Sequence, residues 1–209
     1  MKATILIAAI VLSSFQLQAQ NEKFTKAMMA TIEKSKTANT AADYQDLANS
    51  FERIAKAENM EWTPWYYAAF YNLVLNFQEP DVSKKTKYLT LSQQQIESGL
   101  KVNPEETELM VLKVMSYYGE LAIDPTKGMS LLGEANALID RAKTLNPNNP
   151  RIYLEQAEAI YNMPVEFGGG KDKAMPILLV AKEKFDTFVP ADQLVPNWGK
   201  DRCELLINQ

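Results

Sequence analysis

Leu145-Asn146-Pro147-Asn148-Asn149-Pro150 stands 43 residues after Val102-Asn103-Pro104-Glu105-Glu106-Thr107, and the likeness continues on both sides of the pair. Beyond it, Leu109, Met110, Val114 and Tyr118 fall on Ile152, Tyr153, Ala157 and Tyr161. Before it, Ile96 and Gly99 fall on Ile139 and Ala142. One step earlier the same offset sets Pro64 beside Thr107 and Pro150, with Tyr66, Tyr67 and Tyr71 on the apolar positions that follow. Self-similarity at a fixed period marks a repeat architecture, so three copies share one helix start.

Each copy reads as two helices. Tyr153, Ala157, Ile160 and Tyr161 recur at helical spacing after a proline suited to a first turn. Leu131, Leu132, Ala135, Leu138, Ile139 and Ala142 do the same in the preceding segment. Asn-Pro then ends that second helix, because the residue before a proline is pushed out of helical geometry. An earlier pair is carried by Phe24, Met28 and Ile32 and by Tyr44, Leu47, Ala48 and Phe51, and Trp198, Cys203, Leu206 and Ile207 predict a terminal helix. The expected fold is all-α: a right-handed α-solenoid of about four helix-turn-helix pairs (22–57, 63–101, 105–145, 149–187) with a C-terminal capping helix at 196–207. No stretch shows sustained strand alternation.

The run from Ala142 to Pro150, with Ala174, Leu178 and Ala181, resembles the tetratricopeptide repeat (TPR), whose second helix ends in a similar Ala-rich, Asn-Pro pattern. The third copy matches best. Tyr71, Val114 and Ala157 stand where the family usually has a glycine. The period also exceeds the family's usual repeat of about 34 residues by roughly nine, which must enlarge loops or helix ends. Pro164-Val165-Glu166-Phe167-Gly168-Gly169-Gly170-Lys171 is similar to a Phe-Gly-Gly loop of an exported bacterial subgroup, where it joins the helices of one repeat.

Residues 1–19 read as an export leader: Lys2 is the basic start, Ala3 to Leu12 the apolar centre, and Leu17-Gln18-Ala19 the cleavage tripeptide before Gln20. Ser13, Ser14 and Gln16 interrupt the apolar run well short of the roughly 20 residues a membrane span needs. No cysteine stands there to take a lipid. The expected product is a single helical domain, 20–209, periplasmic or secreted, with neither membrane span nor lipid anchor. A net charge of −4 with no Lys/Arg-rich run argues against nucleic acid as a partner. Cys203 is the sole cysteine, so no intramolecular disulfide forms and helix packing must hold the fold.

Chemistry is scarce. The chain has no histidine, which removes Ser-His and Cys-His nucleophile pairs and the commonest zinc ligand. Glu105, Glu106 and Glu108 cluster at a helix start, where acids complement the helix dipole. Gly168-Gly169-Gly170-Lys171 fails the phosphate-loop pattern, since Val165 and Asp172 occupy its glycine and hydroxyl positions. It reads instead as a hinge. The aromatic stretch Trp62, Trp65, Tyr66, Tyr67, Phe70 and Tyr71 admits two readings, core packing between helix pairs or a stacking surface for a ligand.

No catalytic residue, metal or cofactor is expected, and the protein reads as non-enzymatic. The expected role is an interaction scaffold or adaptor that binds a protein or peptide segment along the concave face of the first helices. The resemblance implies groove positions at Trp65, Ala68 and Asn72 in the first copy and at Glu108, Val111, Met115 and Tyr118 in the second. In the third it implies Arg151, Leu154, Glu158 and Tyr161, with Tyr118, Arg151 and Tyr161 expected to share one stripe. The family's cationic clamp for a C-terminal carboxylate is not reproduced, because Ala68, Leu112 and Glu155 occupy clamp positions. The alternative is a carrier of a small molecule or glycan in an envelope uptake system.

Overall fold

The computed structural model describes residues 22–209; the leader read over 1–19 and its cleavage point lie outside them. The described chain is all-α. Helix α1 covers residues 22–35, followed by α2 (Ala41–Ala57), α3 (Thr63–Gln78), α4 (Val82–Val102) and α5 (Thr107–Ile123). Then come α6 (Gly128–Leu145), α7 (Pro150–Asn162), α8 (Lys171–Thr187) and α9 (Lys200–Asn208), with single 3₁₀ turns at Pro125–Lys127 and Val165–Phe167.

Local chemistry sets the helix ends. Asn103 and Asn146 both leave the helix in extended backbone, at φ −133°, ψ 96° and φ −142°, ψ 84°, as a following proline requires. At the next helix starts, the Glu106 side chain accepts from the Glu108 N–H (3.1 Å) and Asn149 Oδ1 accepts from the Arg151 N–H (3.0 Å). Thr40 and Asp43 form a reciprocal capping box at α2, with the Asp43 N–H donating to Thr40 Oγ1 and the Thr40 N–H to the Asp43 carboxylate. Each cap satisfies backbone donors that the first helical turn leaves without a partner.

The helices pack as neighbours, α2 on α3, α3 on α4, α5 on α6 and α7 on α8, while α5 touches both α3 and α7 across the copies. This is the solenoid-like arrangement expected from the repeats. Three apolar cores result: one among the first four helices with Leu109 and Leu112 of α5, one where α5 and α6 meet the start of α7, and one where α7 and α8 meet α9. The aromatic stretch belongs to the first. Tyr67 stacks on Phe51 with ring centroids 4.8 Å apart, and Tyr66 and Tyr71 are buried beside it.

The segment between α8 and α9 runs back over the first copy. Leu194 enters the first core, and Trp198 Nε1 donates to the Tyr66 hydroxyl at 2.6 Å, 132 residues away in sequence. The backbone carbonyl of Trp198 in turn accepts from Arg151 Nη1 at 3.1 Å.

Candidate functional site

The C-terminal ends of α5 and α7 stand apart, and the space between them is a cleft of about 940 Å³. Its position follows from the chain's local breaks. The Pro125–Lys127 turn carries the chain from α5 into α6, and the Pro164 turn carries it out of α7, so the cleft lies where the turns interrupt the repeat. Helix α5 supplies Met115, Tyr118 and Leu121, and α6 supplies Met129 and Leu132. Helix α7 supplies Glu155, Glu158 and Ala159; Met163 and Phe167 close the loop side, and Phe77 reaches in from α3. Methionine side chains adapt to irregular apolar shapes, and three of them line this cleft. Met129, Phe167 and Phe77 are 94%, 73% and 46% exposed, so the rim presents large apolar groups to water.

The loop on which Phe167 sits is held by backbone geometry that glycine permits. Gly168 and Gly170 have φ of 86° and 98°, where a side chain is strained, and a Cβ at Gly169 would run into the Met163 carbonyl. The Gly170 N–H donates to Ile160 O at 2.8 Å, folding the loop back onto α7. Lys171 is exposed and opens α8, so the glycines act as a turn between two helices.

The polar groups of the cleft are few. Burial raises the Tyr118 phenol above its usual range, and the nearby Glu155 raises it further. Glu155 is only 4% exposed, and burial followed by the Glu158 charge pushes its carboxyl well above the usual carboxylate range. Glu158 accepts from Arg202 Nε at 2.6 Å, a bond near the surface.

Of the groove residues expected from the sequence, Met115, Tyr118 and Glu158 meet in this cleft. Asn72 and Arg151 depart from the expectation, being buried at 1% exposure each. Asn72 donates to Gln95 Oε1 at 2.9 Å within the α3–α4 pair. Arg151 Nε and Nη2 donate to the two carboxylate oxygens of Glu108 at 2.7 and 2.6 Å, and its guanidinium lies 4.6 Å from the centre of the Phe188 ring. With Nη1 on Trp198, the guanidinium is occupied in holding the fold. Trp65 is half-buried beside Gly99 of α4. Tyr161 packs on the core among α7, α8 and α9, because the α7 face carrying Leu154, Ala157 and Tyr161 is turned to the closing helices. The expected stripe of Tyr118, Arg151 and Tyr161 is thus not assembled.

Sequence reading does not place Glu155, Met129 or Phe167 among the binding residues, although it notes Glu155 at a clamp position and Phe167 in the glycine loop. A signal for Glu155 exists: at the 43-residue offset it is equivalent to Leu112 and Ala69, both fully buried apolar residues. A carboxyl at a core position of one copy alone is a departure that the fold does not call for. A second, more polar cleft of about 600 Å³ lies at the opposite end of α5 and α7, with Trp62, Glu106 and Lys184 in its walls. Among the described residues no group of His, Cys, Asp and Glu has the arrangement of a metal site, and no helix is long and apolar enough to cross a membrane.

No protein-family model and no curated protein matches the sequence. Among solved structures, the chain is similar to the HusA haemophore from Porphyromonas gingivalis, with 24% identity, 90% of each chain covered and a TM-score of 0.74. It is also similar to a thermophilic TPR protein of Thermus thermophilus, with 16% identity over 93% of this chain and 95% of that one, at a TM-score of 0.53. These likenesses establish a TPR-like helical fold.

Proposed function

We infer that this chain is an exported, non-enzymatic carrier that takes a large apolar small molecule into the cleft between α5 and α7. The observation that carries the reading is the cleft itself: about 940 Å³, walled by methionine, leucine and aromatic side chains, with few polar groups. Pockets of roughly 300–1,000 Å³ with such walls bury most of a drug-sized ligand's surface. Tetrapyrroles are the class to test first, since HusA, whose fold is similar, is a haemophore. The leader at residues 1–19 supports export.

The test is an absorbance titration of the chain beginning at Gln20 with haem and with protoporphyrin IX. Saturable one-to-one binding is expected, weakened about tenfold or more by Tyr118→Ala and abolished by Ala159→Trp, which fills the cleft. Absence of saturable binding, or binding indifferent to Ala159→Trp, refutes the carrier reading for this class.

The scaffold reading retains one observation in its favour: exposed Phe77, Met129 and Phe167 form an apolar rim on which the side chains of a peptide segment can seat. A pull-down from envelope extract that recovers one protein, lost with Phe167→Ala, favours it over the carrier.

A further inference from the structure

Glu155 is the one wall residue of the cleft that packing does not account for. It is nine-tenths buried or more, it lines the cleft, and among the described residues its carboxyl has neither a hydrogen-bond nor an ion-pair partner. The one cation that acts on it is Arg202 of α9, and that guanidinium is bonded to Glu158 rather than to Glu155. Glu158, one turn along the same face of α7, adds negative charge, and its carboxylate already holds Arg202 of α9. Tyr118 of α5 contributes a neutral phenol. Among the described residues the enclosed side-chain atoms without a partner are Thr63 Oγ1 and Asn72 Oδ1, so the Glu155 oxygens open onto the cleft, and the equivalent positions of the other copies show that an apolar residue satisfies the fold there. The unpaired carboxyl therefore faces whatever enters the cleft.

We propose that the cleft selects, among apolar ligands that fit it, those carrying a cationic or hydrogen-donating nitrogen, and that Glu155 receives that nitrogen. This rests on the cleft being the ligand site. A protonated amine gives the Glu155 carboxylate the partner it lacks, and any proton the carboxyl holds passes to solvent as the charged pair forms. An anionic or hydrocarbon ligand of the same shape gains nothing from it. Hydrogen bonds to a charged group are about twice as strong as neutral ones, and in an apolar setting screening by water is weak.

The experiment compares two fluorescent probes with the same three-ring frame, cationic 9-aminoacridine and nitrogen-free anthracene, titrated against the chain beginning at Gln20. The expected result is binding of 9-aminoacridine about tenfold or more tighter than anthracene. Glu155→Gln and Glu155→Leu are both expected to remove that preference while leaving anthracene within about twofold. The leucine variant reproduces the residue of the second copy, so it folds if the packing argument is sound. Equal affinity for the two probes, or a loss of both in each variant with circular dichroism unchanged, overturns the proposal and leaves the carrier reading standing. If neither probe binds, the proposal falls, while the carrier reading stands or falls with the haem and protoporphyrin titration.

Discussion

Arg151→Met isolates the contact that ties the copies together. The substitution keeps an unbranched side chain of similar length but removes the guanidinium that bonds Glu108 twice and the Trp198 carbonyl once. Glu108, with its side chain 9% exposed, is left with the Asn149 amide at 2.8 Å as its remaining side-chain partner. Removing one member of a buried ion pair costs about 3–5 kcal/mol, a large part of the roughly 5–15 kcal/mol by which a domain is stable. Urea denaturation followed by circular dichroism measures the loss. Glu108→Leu alone should cost a similar amount, because the buried guanidinium is then left without a carboxylate. The double variant Arg151→Met, Glu108→Leu should recover most of it and fall within about 2 kcal/mol of the parent, since an apolar pair of similar volume replaces an ionic one. A cost below about 1 kcal/mol for Arg151→Met would refute the reasoning and return Arg151 to the pool of surface groups. Ligand binding at the cleft should be unchanged in any variant that remains folded.

Burial lifts the Cys203 thiol to about 11, and a thiol with a raised pKa stays neutral below it. Near pH 8 about one molecule in 1,000 carries the thiolate, so iodoacetamide should leave the native protein unmodified and react fully in denaturant. Gly169→Ala should cost about 1–3 kcal/mol in the same urea assay, as its Cβ meets the Met163 carbonyl, whereas exposed Lys171→Ala should stay within about 0.5 kcal/mol. Phe167→Ala should leave the melting temperature nearly unchanged while weakening haem or protoporphyrin binding severalfold, because its ring is exposed at the rim.

Much of the fold is legible because Asn-Pro at 103–104 and 146–147 acts locally: a proline dictates its predecessor's backbone whatever the tertiary context. The 3.6-residue spacing of Leu131, Ala135, Ile139 and Ala142 likewise reports a buried face directly. The site is less legible for a physical reason. Equivalence in a repeat means the same place on each helix, not the same surroundings. Tyr118 and Tyr161 are equivalent, yet α5 leaves its tyrosine at a gap while α8 and α9 cover the other. Glu108 and Arg151 are also equivalent, and their opposite charges 43 residues apart are the trace of a contact between neighbouring copies. Met129 and Phe167 belong to the turns that interrupt the repeat, where no period applies.

A stack of helix pairs in which each pair touches only its neighbours can fray from either end. The Trp198–Tyr66 bond joins the tail of this chain to its first copy, and Leu194 settles into the first core. The terminus that would otherwise peel away is thereby fastened to the opposite end of the array. Removing the closing segment would take a hydrogen bond and a core side chain from the front of the array as well as the cover from its back, so the two ends share one set of contacts.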